Sequence, residues 1–220
     1  MNDSPVLLAS NSPRRRQLLA LTGWKYSVAA SDVDESVRPG ESPEVYVRRL
    51  AEEKARAAAQ KAHSERFVIG SDTTVVLDGD ILGKPADADE ALSMLRRLRG
   101  RTHQVFTGIA VLRLEDGLTH TDVCVTDVPM RAYSDDEIAA YVASGDPLDK
   151  AGAYAIQHAW FRPVASMAGC YASVMGLPLC HLARLMRAFG VPARDNIPSG
   201  CQTALNYACP VYASILDNAQ

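Results

Sequence analysis

Residues 67–82 read FVIGSDTTVVLDGDIL, and this stretch decides the fold class. Phe67–Gly70 is a continuous apolar run, as a strand buried on both faces requires. Thr74–Leu77 and Asp80–Leu82 flank Asp78-Gly79, a dipeptide that accepts the left-handed backbone of a tight hairpin. Outward from here, strand and helix signals alternate. Upstream, the apolar run Val6–Ala9 ends in Ser10-Asn11-Ser12-Pro13. Ser12 as N-cap and Pro13 at the first helical position open a helix that Gly23 closes. Trp24–Ala29 reads as a strand, Ser31–Glu41 as a polar loop, and Ser42-Pro43 opens a second helix to about Ala62. Downstream, Asp87 with Glu90 starts a helix to Arg99 that Gly100 stops. Two β-rich runs follow, Gln104–Leu114 and Leu118–Ala132, joined around Asp116-Gly117. Ser134 with Glu137 caps a helix that ends at Gly145. Ala153–Gln157 and Tyr171–Met175 read as strands, and Leu179–Phe189 as a last amphipathic helix before Gly190. Hairpins interrupt the alternation, so the expected fold is α/β, a mixed twisted sheet with helices on both faces.

The chain has 220 residues, enough for one large or two-lobed domain. Its formal net charge of −3 speaks against a basic nucleic-acid binder. No apolar run reaches the roughly 18 residues of a membrane span, and the N-terminal residues lack the pattern of a signal peptide, so a cytoplasmic protein without a membrane or nucleic-acid partner is expected. Cys124, Cys170, Cys180, Cys201 and Cys209 are odd in number and widely spaced, which argues for buried thiols over a disulfide framework or a zinc site. Cys170 as a lone nucleophile is the alternative, but no basic residue stands near it in sequence. Residues 191–220 hold three prolines and two cysteines without clear periodicity. They read as a loosely attached extension, of unassigned role, to a domain spanning 1–190.

Of the 23 basic residues only five are Lys, which makes each Lys a candidate for a position that wants a compact point charge. Lys54 and Lys84 are the ones to follow, whereas Lys25 reads as an exposed strand residue. Three segments could carry chemistry. In Ser10–Arg16 a strand-to-helix turn of short hydroxyl residues leaves backbone N–H groups free for an anion. Three arginines in that first turn oppose the helix dipole, a conflict that a phosphate ligand would relieve; a solvated basic turn is the alternative. In Gly70-Ser71-Asp72-Thr73 a carboxylate follows a buried strand, in a loop of small residues, as a metal ligand or general base would; a plain turn residue is the alternative. Gly83-Lys84-Pro85 fails as a Walker loop in spacing and in its missing Ser or Thr, leaving Lys84 as a phosphate contact or an exposed turn lysine. No zinc-hydrolase spacing of His and no G-x-S-x-G elbow exists.

Together the segments resemble the Maf family of nucleoside triphosphate pyrophosphatases. The resemblance rests on LLASNSPRRRQLL (Leu7–Leu19), DVDES (Asp32–Ser36), RLAEEKA (Arg49–Ala55), GSDTTVVLDGDILGKP (Gly70–Pro85), HQVFTG (His103–Gly108), LDKAGAYAIQ (Leu148–Gln157) and GCYASVMGLPL (Gly169–Leu179). It implies two lobes with a central cleft, similar to inosine triphosphate pyrophosphatases, and often a homodimer. It also implies cleavage of a nucleoside triphosphate between the α and β phosphates, with Mg²⁺ or Mn²⁺. Arg14, Thr73 and Gln157 match the branch acting on dTTP and UTP; the 7-methyl-GTP branch carries Trp, Gln and Glu there. The resemblance makes Asp72 the general base and a metal contact, and Glu35 a second metal ligand. It assigns Ser10, Arg14, Arg15, Lys54 and Lys84 to the triphosphate, and Thr73 and Gln157 to the base. Cys170, where Ser is common, and His158, where Gly is common, are departures expected to alter the pocket floor. The rival readings are a septum-formation regulator acting by nucleotide-dependent partner binding, which would need neither Glu35 nor Asp72, and a 7-methyl-GTP pyrophosphatase.

Overall fold

The run Val6–Leu8 forms β1, buried on both faces between two parallel neighbours, β2 (Tyr26–Val28) and β3 (Phe67–Leu77). A computed structural model of the chain describes residues 5–193 and 195–217. β3 continues antiparallel to β5 (Thr102–Arg113), which pairs antiparallel with β6 (Thr119–Pro129), giving the order β2-β1-β3-β5-β6. The short β4 (Asp80–Leu82) returns along the end of β3 through Asp78 and Gly79, both at positive φ, as the Asp-Gly signal requires.

The expected caps are in place. Ser12 caps α1 (Pro13–Ala20) and Ser42 caps α2 (Pro43–Ala59). Asp87 accepts from Glu90 N at 2.8 Å at the start of α3 (Ala88–Leu98), and Ser134 and Glu137 form a reciprocal capping box on α4 (Asp135–Ala143). Of four apolar clusters, two small ones seat α2 on the sheet and two larger ones fill the lobes. One gathers β1, α1, the Phe67–Ile69 end of β3 and α6 (Leu179–Ala188). The other packs α3 and α4 under the Val75–Leu77 end of β3. Each fully buried aliphatic side chain, such as Leu19 or Leu95, contributes about 1.5–3 kcal/mol.

Three expectations change. First, β3 does not stop at Gly70: Ser71, Asp72 and Thr73 stay in ladder with β5, opposite Ile109, Gly108 and Thr107. The small polar residues form part of a strand because β5 satisfies their backbone groups. Second, Ala153–Gln157 is no strand. It follows a 3₁₀ turn (Ala151–Ala153) in which Gly152 and Ala153 take positive φ, and no strand edge lies beside it to pair with. Third, Tyr171–Val174 is a helical turn, α5, because the Cys170 carbonyl accepts the Ser173 and Val174 N–H groups locally.

The segment beyond 190 is attached, not loose. It forms α7 (Ile197–Leu205) and α8 (Tyr212–Asp217), buries Val191 and Ile197 in the first core, and is bonded by Trp24 Nε1 to Pro192 O at 3.1 Å. Among the described residues no helix is long and apolar enough to cross a membrane.

Candidate functional site

The pairing of β3 leaves a gap. β1 covers its edge at Phe67–Ile69 and β4 covers it at Val75–Leu77, so Gly70–Thr74 have β5 on one side and no strand on the other. A cleft of about 560 Å³ opens at that uncovered edge, between the two lobes. An open edge at a break in strand pairing exposes both faces of one strand, which lets Asp72 and Thr73, on opposite faces, line a single cavity.

All nine residues singled out from the sequence line it: Ser10, Arg14, Arg15, Glu35, Lys54, Asp72, Thr73, Lys84 and Gln157. Lys54 is at the centre. Its buried ammonium lies 2.6 Å from Asp72 Oδ1 and 2.6 Å from Glu35 Oε1. α2 can deliver it because two glycines make the sheet flat where the helix rests. A Cβ on Gly70 would lie 2.0 Å from Ala51 O, and one on Gly108 2.3 Å from Val47 O. Lys84 stands 3.9 Å from Glu35 Oε2 and is largely exposed. Burial alone would raise the Glu35 carboxyl; the hydrogen bond and charge of Lys54, with Lys84 and Arg15 behind, outweigh it and hold the group below its ordinary value. Burial, together with the Asp72 and Glu35 charges, pushes the nearby Tyr46 phenol up to about 12, so it stays a donor, bonded to Glu35 O at 2.9 Å.

Arg15 is engaged by the protein itself. Nε donates to Gly176 O at 2.8 Å, Nη1 to Ser10 Oγ at 3.3 Å and Nη2 to Thr73 Oγ1 at 3.3 Å. Burial lowers its pKa. Thr73 Oγ1 is also 3.0 Å from Thr107 Oγ1, and Thr107 donates to Ser173 O at 2.9 Å. The Thr73 hydroxyl is thus committed to a network that fixes Arg15. Arg14, in contrast, has no hydrogen-bond or ion-pair partner among the described residues, and neither does the exposed side chain of Gln157.

Other site residues carried fainter signals. Lys150 lines the cleft and is buried, held by Asp149 Oδ1 at 2.6 Å and Asp146 Oδ1 at 3.1 Å. The scarcity of lysine is the signal that finds it: three of the five line this cavity. Arg49 grips Glu41 through Nε at 2.6 Å and Nη2 at 2.8 Å and reaches Ser36 O at 3.1 Å, tying the loop that carries Glu35 to α2. That hydrogen bond, against the opposing effect of burial, brings the Glu41 carboxyl down to about 2. Ser71, fully buried, places its one hydroxyl proton between two carbonyls, Gly176 O at 2.9 Å and Gly108 O at 3.0 Å; nothing in a lone Ser signals this. Cys170 and His158 do not line the cleft. His158 packs on Tyr141, ring centroids 4.7 Å apart, and Cys170 points into the first core, so neither forms the pocket floor.

Five cations (Arg14, Arg15, Lys54, Lys84 and Lys150) face three carboxylates (Glu35, Asp72 and Asp149) in one cavity. Such an excess favours a polyanion, and the carboxylates can bind a cation or take a proton. Among the described residues no group of three or more His, Cys, Asp or Glu side chains gathers where it could hold a metal alone.

The chain matches a family described as Maf-like protein over residues 5–189. It is 47% identical over 188 residues to a protein of Hahella chejuensis named dTTP/UTP pyrophosphatase, covering 84% of this chain and 92% of that one. A Geobacter sulfurreducens protein of the same name is 47% identical over 191 residues, covering 86% and 99%. Among solved structures, the Ham1 protein of Staphylococcus aureus superposes with a TM-score of 0.41 at 19% identity, over 58% of this chain and 72% of that one. The ordered motifs, the cleft they line and the extent of the match lead to one conclusion: the chain belongs to the Maf family.

Proposed function

We infer that the protein is a nucleoside triphosphate pyrophosphatase acting on dTTP and UTP, releasing the monophosphate and pyrophosphate. The observation that carries this reading is the buried Lys54 ammonium bridging Asp72 and Glu35 inside a cation-lined cleft. Relatives bearing the dTTP/UTP pyrophosphatase name at 47% identity support the substrate class.

In this reading the polyphosphate lies along the start of α1. Arg14 and Lys84 have the freedom to grip its oxygens, while Ser10 and Arg15 form the fixed floor. Asp72 takes a proton from a water that attacks the α-phosphorus. The bond between that phosphorus and the bridging oxygen breaks, and pyrophosphate leaves with its charge offset by the lysines. Lys54, bonded to Asp72 Oδ1 at 2.6 Å, orients the carboxylate for that task. Glu35 and Asp72 both line the cleft and are hard oxygen donors, the residues that would hold Mg²⁺ or Mn²⁺, which takes one or two carboxylates and completes its shell with phosphate oxygens. Such an ion, when bound, supplies charge neutralisation on the phosphates. Gln157 presents an unpaired amide, one donor and one acceptor side, to a pyrimidine edge. Thr73 acts on specificity through the Arg15 network. A cytoplasmic homodimer completes the reading, and sedimentation of the purified protein tests the assembly.

The test is a pyrophosphate-release screen over canonical and modified nucleoside triphosphates, with and without Mg²⁺, on wild type and Asp72→Asn. We expect dTTP and UTP to lead, and the variant to lose about 10²–10⁴ in turnover while still binding nucleotide. A preference for 7-methyl-GTP would overturn the branch, and no release from any substrate would favour the regulator.

A further inference from the structure

α5 joins the cleft to a part of the chain that the family match, ending at residue 189, does not reach. The C-terminal end of this turn is built into the site. Gly176 O accepts from Arg15 Nε at 2.8 Å and lies 2.9 Å from Ser71 Oγ, while Ser173 O accepts from Thr107 at 2.9 Å. The approach is close: Gly176 has φ +105°, and a Cβ there would lie 3.1 Å from Arg15 Nε and 3.3 Å from Thr73 Oγ1. α5 itself has four residues, too few to keep its place by its own hydrogen bonds. Its position is set from the two ends.

The N-terminal end is held from outside. Residues 166–169 lead into it, and among the described residues their hydrogen-bond partner is the Tyr207 hydroxyl, 2.9 Å from Gly169 O and 3.3 Å from Met167 O. Its one proton goes to the nearer carbonyl, that of Gly169. The Tyr207 ring packs on Tyr171, the first residue of α5, with centroids 5.5 Å apart. Below, the loop rests on β6 so closely that a Cβ on Gly169 would lie 2.6 Å from Thr126 Cγ2. Tyr207 is aimed at this loop by the reversal that ends α7. Asn206 takes φ +47°, and Tyr207 N bonds Gln202 O at 3.1 Å. The Gln202 side chain locks the reversal, accepting from Cys209 N at 3.0 Å and donating to Pro198 O at 3.2 Å. α8 is tied in turn to α6, by Arg184 Nη1 to Ile215 O at 3.2 Å and Arg187 Nη2 to Leu216 O at 3.0 Å.

We propose that the extension beyond residue 190 is a brace for the cleft, with Tyr207 as a positioning residue. Its hydroxyl holds the start of α5, and the Ser173 and Gly176 carbonyls pass that constraint to Arg15, beside Thr73 and Asp72. The consequence for turnover rests on the pyrophosphatase reading; the hold on α5 does not. Arg15 needs such a hold because its three hydrogen bonds go to neutral oxygens, of which Gly176 O is the nearest. A small shift of α5 lengthens that bond and re-aims the guanidinium, whereas Arg14 and Lys84 bond nothing on α5. Loss of the brace therefore lowers kcat and spares KM.

The test uses the full-length chain and Tyr207→Phe, which keeps the ring on Tyr171 and removes the hydroxyl. Amide hydrogen exchange read by peptide mass spectrometry should show residues 170–177 exchanging about tenfold faster, with α2 and α3 peptides unchanged. For dTTP, kcat should fall about tenfold at a KM within about twofold, while Tm drops by about 2–4 °C. In an Arg15→Lys background the same substitution should change kcat by less than about twofold, because the route is already cut. Full multiplication of the two losses would overturn the route through Arg15. Gln202→Ala, which frees the reversal but keeps the phenol, is the second variant and should act in the same direction. Tyr212→Phe in α8, whose hydroxyl has no partner among the described residues, is the control; an equal effect from it would overturn the assignment to Tyr207. Unchanged exchange over 170–177 in both Tyr207→Phe and Gln202→Ala would overturn the brace, and faster exchange at unchanged kcat would overturn its coupling to the cleft. A wild type that releases no pyrophosphate would sink the reading of the cleft and not the brace, which the exchange measurement decides alone.

Discussion

Gly70→Ala tests how α2 brings Lys54 to the cleft. The added Cβ would sit 2.0 Å from Ala51 O, 2.8 Å from Ala55 N and 3.1 Å from Ala51 C. All three are backbone atoms of α2, so no side chain can rotate away and the helix itself must retreat by about 1 Å, an overpacking strain of about 1–3 kcal/mol. In a chain of this length each kcal/mol lowers Tm by about 2–4 °C, which puts the expected fall at roughly 2–12 °C. Activity should suffer more than stability. Lys54 rides on the same helix and meets Asp72 and Glu35 at 2.6 Å each, so the retreat breaks good hydrogen-bond geometry at both carboxylates. A misplacement of about 1 Å at such a site costs about 10² in kcat. Calorimetry and pyrophosphate release from dTTP measure the two effects. Gly200→Ala is the control: it lies in α7, with Leu21 O at 3.9 Å as its nearest contact, and it should leave Tm level or slightly raised. A Gly70→Ala protein with Tm within about 1 °C and kcat within about twofold of wild type would refute the reasoning, because such a contact could not then be rigid.

Arg14 and Arg15 should separate cleanly. Arg14→Ala should raise the KM for dTTP about tenfold at unchanged Tm, whereas Arg15→Lys loses the fork that joins Gly176, Ser10 and Thr73 and should lower kcat and Tm together; the reverse pattern would show the roles exchanged. Arg49→Gln removes the ion pair from Glu41, which keeps the Arg38 N–H at 3.1 Å, in a site where the two side chains are 11% and 5% exposed, so urea melts should show a loss of about 1–3 kcal/mol. Arg97→Gln, which breaks an exposed pair with Asp80, should cost about 0–1 kcal/mol. Burial lowers His103 from 6.5 to about 4. The unfolded chain therefore binds the extra proton first: the stability His103 contributes is complete above pH 6.5 and is lost as pH falls toward 4, by on the order of 3 kcal/mol. Urea melts at pH 7 and 4.5 should show that slope in wild type and its loss in His103→Gln; equal slopes would exclude His103 as the source.

Local signals determined much of this protein. Ser12, Ser42, Asp87 and Ser134 each cap the helix expected of them, and Asp78-Gly79 makes the expected hairpin, because capping and left-handed turns depend on a few adjacent residues. The strand assignments at Ala153–Gln157 and Tyr171–Met175 failed because a strand exists only where another edge offers it hydrogen bonds, and sequence pattern does not reveal edges. The same limit applied to Asp72. Its residue type suggested chemistry, but its place within β3, where β1 has ended and β4 has not begun, follows from pairing between segments far apart in the chain. Likewise Lys54 stood out by rarity, yet only Gly70 and Gly108 beneath α2 let it reach Asp72. Close approach between a helix and a sheet is a property of two surfaces together, so the chain by itself named the chemical groups and tertiary packing decided which of them could meet.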